Sequence, residues 1–128
     1  MPSETAFLLI DPYNDFLHPE GKLTNMLAES LADSNTIEHL KQLVTAVRKA
    51  KIPIFYALHQ QSRPDQYRDW QFMTTAQKGL EAKKLFEEGS FGAQFYEGLE
   101  PDPKNGDVVV SKHWNSRSAI SFRTTRAR

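Results

Sequence analysis

Three short apolar runs alternate along this chain with segments whose apolar residues recur at helical spacing. Residues 6–10, 52–58 and 107–110 are rich in aliphatic and aromatic side chains and predict buried strands, the first of them buried on both faces. Residues 34–49 predict an amphipathic helix, with one apolar stripe formed by Ile37, Leu40, Leu43, Val44 and Val47. A strand, a helix and a second strand of these lengths predict a parallel βαβ unit, and therefore an α/β protein.

The remaining segments are more polar and predict loops, turns and shorter helices. Asn35, followed three residues later by Glu38, predicts a capped start for the helix over residues 34–49. Residues 60–88 begin as a loop, and their second part, from Thr75, predicts a charged helix. Two prolines and an Asn-Gly pair predict a turn over residues 100–107.

Polar residues stand where each apolar run ends. Asp11 follows the first run directly, and Pro12 has no N–H with which to continue a strand ladder. His59 follows the second run and Lys112 the third. Because the carboxyl ends of parallel strands share one edge, where open α/β sheets bind ligands, the three side chains are candidates for one site. Two structural alternatives stay open: a turn or N-cap role for Asp11, and a surface role for Lys112.

Composition narrows the class of protein. A chain of 128 residues predicts one domain, and a formal net charge of zero offers no general attraction for nucleic acid or an anionic membrane. No apolar run approaches the length of a membrane span, and the N-terminus has no signal-peptide pattern, so a cytoplasmic protein is expected. The absence of cysteine excludes disulfides and thiolate metal sites. His59 is a single imidazole, so neither a metal nor another cofactor is expected.

The end of the chain differs in composition from the rest. Residues 111–128 contain no acidic residue and five basic ones: Lys112, Arg117, Arg123, Arg126 and Arg128. The sequence predicts a domain over residues 1–116 and an irregular basic tail over residues 117–128. A reading-frame shift, a splice variant, a truncated gene product and a natural basic tail remain open explanations of this segment.

Four motifs, taken in order, resemble one known family. Residues 11–16, Asp-Pro-Tyr-Asn-Asp-Phe, resemble the opening signature of the isochorismatase-like cysteine hydrolases, which usually have Gln where this chain has Tyr13. Residues 18–23 resemble that family's His-Pro-x-Gly-x-Leu segment, and residues 89–94 its Gly-Thr-Trp/Phe-Gly-Ala segment. Residues 111–116 resemble its Lys-x-x-x-Ser motif. The resemblance extends from residue 6 to about residue 116.

The resemblance implies a fold and a set of site residues. The fold is a Rossmann-like three-layer sandwich around a parallel sheet of strand order 3-2-1-4-5-6, and this chain supplies its N-terminal half, about three strands. Asp11 and Lys112 match the catalytic acid/base and the catalytic lysine. Phe16, His59 and Trp114 are the implied substrate-binding residues, and the substrate is a small molecule. In the metal-binding branch an Asp precedes the strand-end histidine, but Ala57 occupies that position here.

The resemblance stops before the nucleophile motif of the family, typically Val-x-x-x-Cys, so the chain is interpreted as truncated. Without a cysteine it cannot form the thioester of the amidase branches. The isochorismatase branch instead cleaves a vinyl ether by protonating it from the Asp, and some of its members lack the cysteine. Two hypotheses follow: a hydrolase of an amide or vinyl ether, or an inactive pseudoenzyme that associates through an exposed sheet edge. A homo-oligomer is compatible with both.

Overall fold

The structure, a computed structural model, describes residues 4–112 and the backbone of residues 123–125. Trp114, one of the predicted substrate-binding residues, therefore lies outside the described residues, as does most of the predicted tail.

A four-stranded sheet forms the centre of the described chain. Strands β1 (Phe7–Ile10), β2 (Ile54–His59) and β3 (Val108–Lys112) are parallel neighbours in that order, which confirms the predicted α/β class and parallel arrangement. Strand β4 (Arg123–Thr125) pairs antiparallel with β3. These three residues lie within the segment 117–128 for which an irregular tail is predicted, and two of them are β-branched.

In the part of the chain that the structure describes, four helices and two 3₁₀ turns connect the strands. The helices are α1 (Asn14–Leu17), α2 (Thr24–Asp33), α3 (Thr36–Lys49) and α4 (Thr75–Ala82), and the 3₁₀ turns cover Phe91–Ala93 and Pro103–Asn105. Helix α3 confirms the helix predicted over residues 34–49, whereas α2 was not predicted. Among the described residues, no helix is both long and apolar enough to cross a membrane.

The predicted cap of helix α3 is wrong. Asn35 precedes the helix, but its side chain makes no capping hydrogen bond and its backbone is left-handed, with φ of 47°. The Asn35 N–H instead donates to the carbonyl of Ala32, in the last turn of α2. Asparagine tolerates the left-handed conformation that commonly ends a helix, so this residue terminates α2 and turns the chain into α3.

The core lies on one face of the sheet. Leu9, Ile54 and Tyr56 are at most 4% exposed and pack in one cluster with Val44 of α3. The opposite face is open: Leu8 is 49% exposed and its neighbours Ile10 and Phe55 are similarly accessible. The prediction that β1 is buried on both faces is therefore wrong, because among the described residues only one face receives packing partners from the helices.

Asp107 ties the amino ends of β2 and β3 together. Its side chain is fully buried and accepts hydrogen bonds from the N–H groups of Ile54 (3.0 Å) and Asp102 (2.8 Å). It also accepts from the side chains of Asn105 (2.8 Å) and Arg48 (3.1 Å). Burial alone raises the pKa of Asp107, but the hydrogen bonds donated to its carboxylate outweigh burial and hold that pKa below its usual value.

Replacing Asp107 is expected to make stability less dependent on pH. A carboxylate whose pKa is lower in the folded than in the unfolded chain stabilises the fold above pH about 4, and this contribution disappears as pH falls through the folded pKa. We expect Asp107→Asn to lower the free energy of unfolding by about 2–4 kcal/mol at pH 7, because the amide presents N–H groups to existing donors. Urea denaturation at pH 7 and pH 3 measures the free energy of unfolding of the wild type and of the variant. The difference between the two proteins must be smaller at pH 3 than at pH 7.

The exposed carboxylate of Asp69 supplies the matched control for this experiment, since Asp69→Asn removes the same charge from the surface. We expect that control to change stability by less than about 0.5 kcal/mol at either pH. If Asp107→Asn lowers the free energy of unfolding equally at both pH values, the ionised carboxylate of Asp107 does not stabilise the fold as described.

Candidate active site

The structure brings three of the predicted site residues to the carboxyl edge of the sheet. Asp11 follows β1, and its N–H donates to the carbonyl of Ala57 in β2 (3.2 Å). His59 ends β2 and pairs in register with Lys112, which ends β3. Parallel pairing therefore places an acidic, an imidazole and a basic side chain on adjacent strand ends, as the order of the sequence predicted.

The carboxylate of Asp11 has two different neighbours. Its Oδ1 accepts a hydrogen bond from the backbone N–H of His59 at 2.6 Å. Its Oδ2 lies 3.9 Å from the Nζ of Lys112, and both side chains are about 15% exposed. One oxygen is thus oriented by the backbone, while the other faces a cation and the edge of the sheet. This arrangement suits a group that exchanges a proton with a bound molecule while a nearby positive charge stabilises its ionised form.

The backbone of Asp11 adopts a conformation that is uncommon for a residue with a side chain. Its φ is 47°, in the left-handed region, which disfavours non-glycine residues by about 1 kcal/mol. A tight turn holds it there, since the N–H of Tyr13 donates to the carbonyl of Asp11 at 2.7 Å. Strain of this kind is concentrated at functional sites, and here it turns the Asp11 side chain toward His59.

Tyr13 contacts the candidate site in a way that was not predicted from the sequence. Its side chain is 2% exposed, and its hydroxyl donates to the carbonyl of His59 at 2.9 Å. Burial, together with the negative charge of Asp11, raises the pKa of Tyr13 far above its usual value, so the hydroxyl stays a donor. The sequence signalled only that Tyr13 differs from the family's usual Gln. Its hydrogen-bond partner is 46 positions away in sequence, so no local pattern could reveal the contact.

Phe16 approaches the site through a second aromatic residue. The Phe16 ring lies 5.1 Å from that of Phe86, and Phe86 stacks on the imidazole of His59 at 5.2 Å and 21°. The structure thus places Phe86 in contact with both Phe16 and His59, and the substrate contacts predicted for these two residues remain predictions. Phe86 was missed because it occurs in a mostly charged segment without a motif, although it is 1% exposed.

Asp15, the second acidic residue of the first motif, has a structural environment. It is 1% exposed, and its two carboxylate oxygens accept the backbone N–H groups of Lys22 (3.2 Å) and Phe86 (3.0 Å). It therefore holds the loop after α1 against the segment that carries Phe86. Asp15 thus helps to fix the shape of this loop.

An apolar cavity of about 170 Å³ lies beside Lys112 on the open face of the sheet. Its other lining residues are apolar or aromatic: Leu8, Phe55, Tyr56, Ala57, Leu58 and Val110. A larger cavity of about 310 Å³ lies between residues 62–67 and residues 81–87, and none of the predicted site residues lines it. Of these two cavities, the smaller is the one that borders a predicted site residue, Lys112. Within the described chain, no three His, Asp or Glu side chains are grouped as a metal ion would require.

Comparison with known proteins identifies the family. A family model described as the isochorismatase domain matches residues 5–123, which include both Asp11 and Lys112 and most of the chain. A search of curated proteins found no match. The match covers the three parallel strands and every motif on which the resemblance was based. This chain is therefore a member of the isochorismatase-domain family.

Proposed function

We propose that this chain is a hydrolase that cleaves a vinyl ether in a small molecule, with Asp11 as the acid/base and Lys112 as its electrostatic partner. The observation that carries the proposal is the environment of the Asp11 carboxylate. One oxygen is held by the His59 N–H at 2.6 Å, and the other faces the Lys112 ammonium at 3.9 Å. Membership of the isochorismatase-domain family supports the general class of the reaction.

The proposed reaction begins with a proton transfer from Asp11 to the terminal vinyl carbon, where the π electrons form the new C–H bond. The ether carbon becomes an oxocarbenium centre, and water adds to it while Asp11 takes one proton from that water. The resulting hemiketal then breaks down: its hydroxyl proton passes to the ether oxygen, the C–O bond breaks with its electron pair staying on that oxygen, and a ketone and an alcohol are released. The net reaction is hydrolysis of the vinyl ether by one water molecule, and Asp11 is protonated again at its end.

Lys112 has two tasks in this proposal. Its ammonium stabilises the Asp11 carboxylate in the interval when the proton is on the substrate, and it attracts substrates that are themselves anionic. Its stem lines the apolar cavity, so a small apolar body with one anionic group matches the surroundings of the site. His59 contributes its backbone N–H, which keeps one oxygen of Asp11 in place.

The vinyl-ether reaction is preferred over amide hydrolysis because of the residues that each reaction needs. The amidase branches form a thioester on a cysteine, and this chain contains no cysteine. Vinyl-ether hydrolysis requires a positioned acid and a water molecule, and Asp11 supplies the acid. The absence of cysteine therefore favours the vinyl-ether reaction over amide hydrolysis.

A comparison of two substrates tests this assignment. We expect the 128-residue chain to release pyruvate from isochorismate, an enolpyruvyl vinyl ether, and to release no ammonia from nicotinamide. Coupled enzymatic assays for pyruvate and ammonia measure the two products. Ammonia without pyruvate would overturn the vinyl-ether assignment, and the absence of both products from folded protein would overturn the hydrolase assignment.

A second candidate function has its own structural support. In a non-catalytic subunit, the open face of the sheet would contact another subunit, and three of its apolar side chains are 38–49% exposed: Leu8, Ile10 and Phe55. Strand β1 is also the last strand on its side of the described sheet. The substrate comparison separates the two candidates, because the non-catalytic subunit releases neither product.

A further inference from the structure

Three residues of the site form a closed circuit of hydrogen bonds. The His59 N–H donates to the Asp11 carboxylate at 2.6 Å, and the Tyr13 hydroxyl donates to the His59 carbonyl at 2.9 Å. The Tyr13 N–H closes the circuit by donating to the Asp11 carbonyl at 2.7 Å. Tyr13 therefore holds both the turn that carries Asp11 and the strand end that orients its carboxylate.

The Tyr13 side chain is itself rigidly held. Its ring is buried and packs against two others, Phe86 at a centroid distance of 5.3 Å and Phe95 at 5.9 Å. The backbone of Tyr13 forms an isolated antiparallel bridge with Phe95, which fixes the residue from a second direction. A hydroxyl on such a ring has little freedom to move away from the His59 carbonyl, and its raised pKa keeps it protonated.

We infer that Tyr13 is a positioning residue, whose hydroxyl fixes the His59 backbone so that the His59 N–H holds one oxygen of Asp11 and leaves the other facing Lys112. Without the hydroxyl, the His59–Gln60 peptide group keeps the hydrogen bond from the Gln60 N–H to the Lys112 carbonyl at 2.8 Å but loses the one that the His59 carbonyl accepts, so the carboxylate of Asp11 is oriented less firmly. The kinetic consequence of this inference rests on the proposed acid role of Asp11, whereas the structural consequence does not.

Tyr13→Phe tests the inference, because it retains the ring and removes only the hydroxyl. Two backbone amides report separately in ¹⁵N–¹H NMR spectra of the full chain. The Gln60 amide shares a peptide group with the His59 carbonyl and reports the lost hydrogen bond, while the His59 amide reports the contact with Asp11. We expect both resonances to shift in Tyr13→Phe, and the His59 amide to exchange faster with solvent. With a vinyl-ether substrate, we expect kcat to fall roughly tenfold at unchanged KM.

Tyr56→Phe is the matched control. Tyr56 is also fully buried and donates to a backbone carbonyl, that of Glu100 at 3.2 Å, but at the other end of the sheet. We expect this variant to lose thermal stability, because its hydroxyl also accepts a hydrogen bond from Arg48 at 3.1 Å, and to leave the His59 amide resonance unchanged. If Tyr13→Phe does not fold, 3-fluorotyrosine at position 13 keeps the ring and hydroxyl, strengthens the donor, and must shift the same two resonances.

The outcomes distinguish this inference from the proposed function. A shift confined to Gln60, with the His59 amide unchanged, overturns the positioning role even if the enzyme is active. Shifts at both amides in a chain without turnover support the positioning role and contradict the hydrolase assignment. If Tyr13→Phe and Tyr56→Phe affect the His59 amide equally, a general loss of stability explains both effects. This outcome would also overturn the inference.

Discussion

Asp11→Asn is expected to lower kcat/KM for vinyl-ether hydrolysis by about 10²–10⁴-fold, the usual contribution of a positioned general acid. An amide side chain has the same shape as the carboxyl but cannot deliver a proton and recover it. The variant is expected to fold, because asparagine is one of the few residues that tolerate the left-handed backbone of Asp11. Its amide oxygen can also accept the His59 N–H, so the orientation of the side chain is retained.

Two further variants make this prediction specific. Asp33→Asn changes an exposed carboxylate at the end of α2 and is expected to leave the rate unchanged. Lys112→Met removes the ammonium and keeps a flexible apolar stem beside the cavity, so we expect a loss smaller than that of Asp11→Asn. Initial rates of pyruvate release measure all three variants. Retention of more than a tenth of the wild-type rate by a folded Asp11→Asn variant would contradict the acid role.

Gly92→Ala is expected to destabilise the fold by about 3 kcal/mol or more. Gly92 lies in the 3₁₀ turn Phe91–Ala93, and a Cβ built on it would overlap the carboxylate atoms of Asp15. Asp15 cannot move aside without releasing the N–H groups of Lys22 and Phe86, which are hydrogen-bonded to its two oxygens. The variant therefore combines overpacking with the loss of buried hydrogen bonds.

Gly79→Ala provides the matched control, because a Cβ on Gly79 meets no atom within 4 Å. Gly79 lies inside α4, where alanine is favoured over glycine by up to about 1 kcal/mol, so the control is expected to be neutral or stabilising. Urea denaturation followed by circular dichroism compares the two variants with the wild type. A Gly92→Ala variant as stable as the wild type would show that Asp15 and Gly92 are not in the contact described.

The strands and the site edge were predictable because their signals are local. An apolar run of four to seven residues indicates a buried strand, and parallel pairing then brings the residues that follow each run together. Asp11, His59 and Lys112 were placed at one edge by this reasoning alone. The same locality explains the error at β1: the run indicated apolar surroundings but could not indicate how many faces of the strand have partners.

The undetected features depend on contacts that are distant in sequence. The aromatic role of Phe86 requires His59 and Phe16, which are separated from it by 27 and 70 positions. Asparagine is a common N-cap residue, yet the conformation of Asn35 is set by the end of the preceding helix, α2. That helix lacked a recognisable apolar stripe in the sequence. Gly92 and Asp15 belong to separate motifs, and only the fold shows that they are in contact.

The most direct test of the account is the isotopic composition of the ketone product formed in D₂O. If Asp11 protonates the vinyl carbon, the proton on its carboxyl comes from solvent, and each pyruvate released from isochorismate must carry one deuterium in its new methyl group. Mass spectrometry measures this label, with pyruvate incubated under the same conditions as the control for exchange. One deuterium per product, formed by the wild type and not by Asp11→Asn, is the predicted result. Unlabelled pyruvate, or equal product formation by both proteins, would contradict the acid role of Asp11.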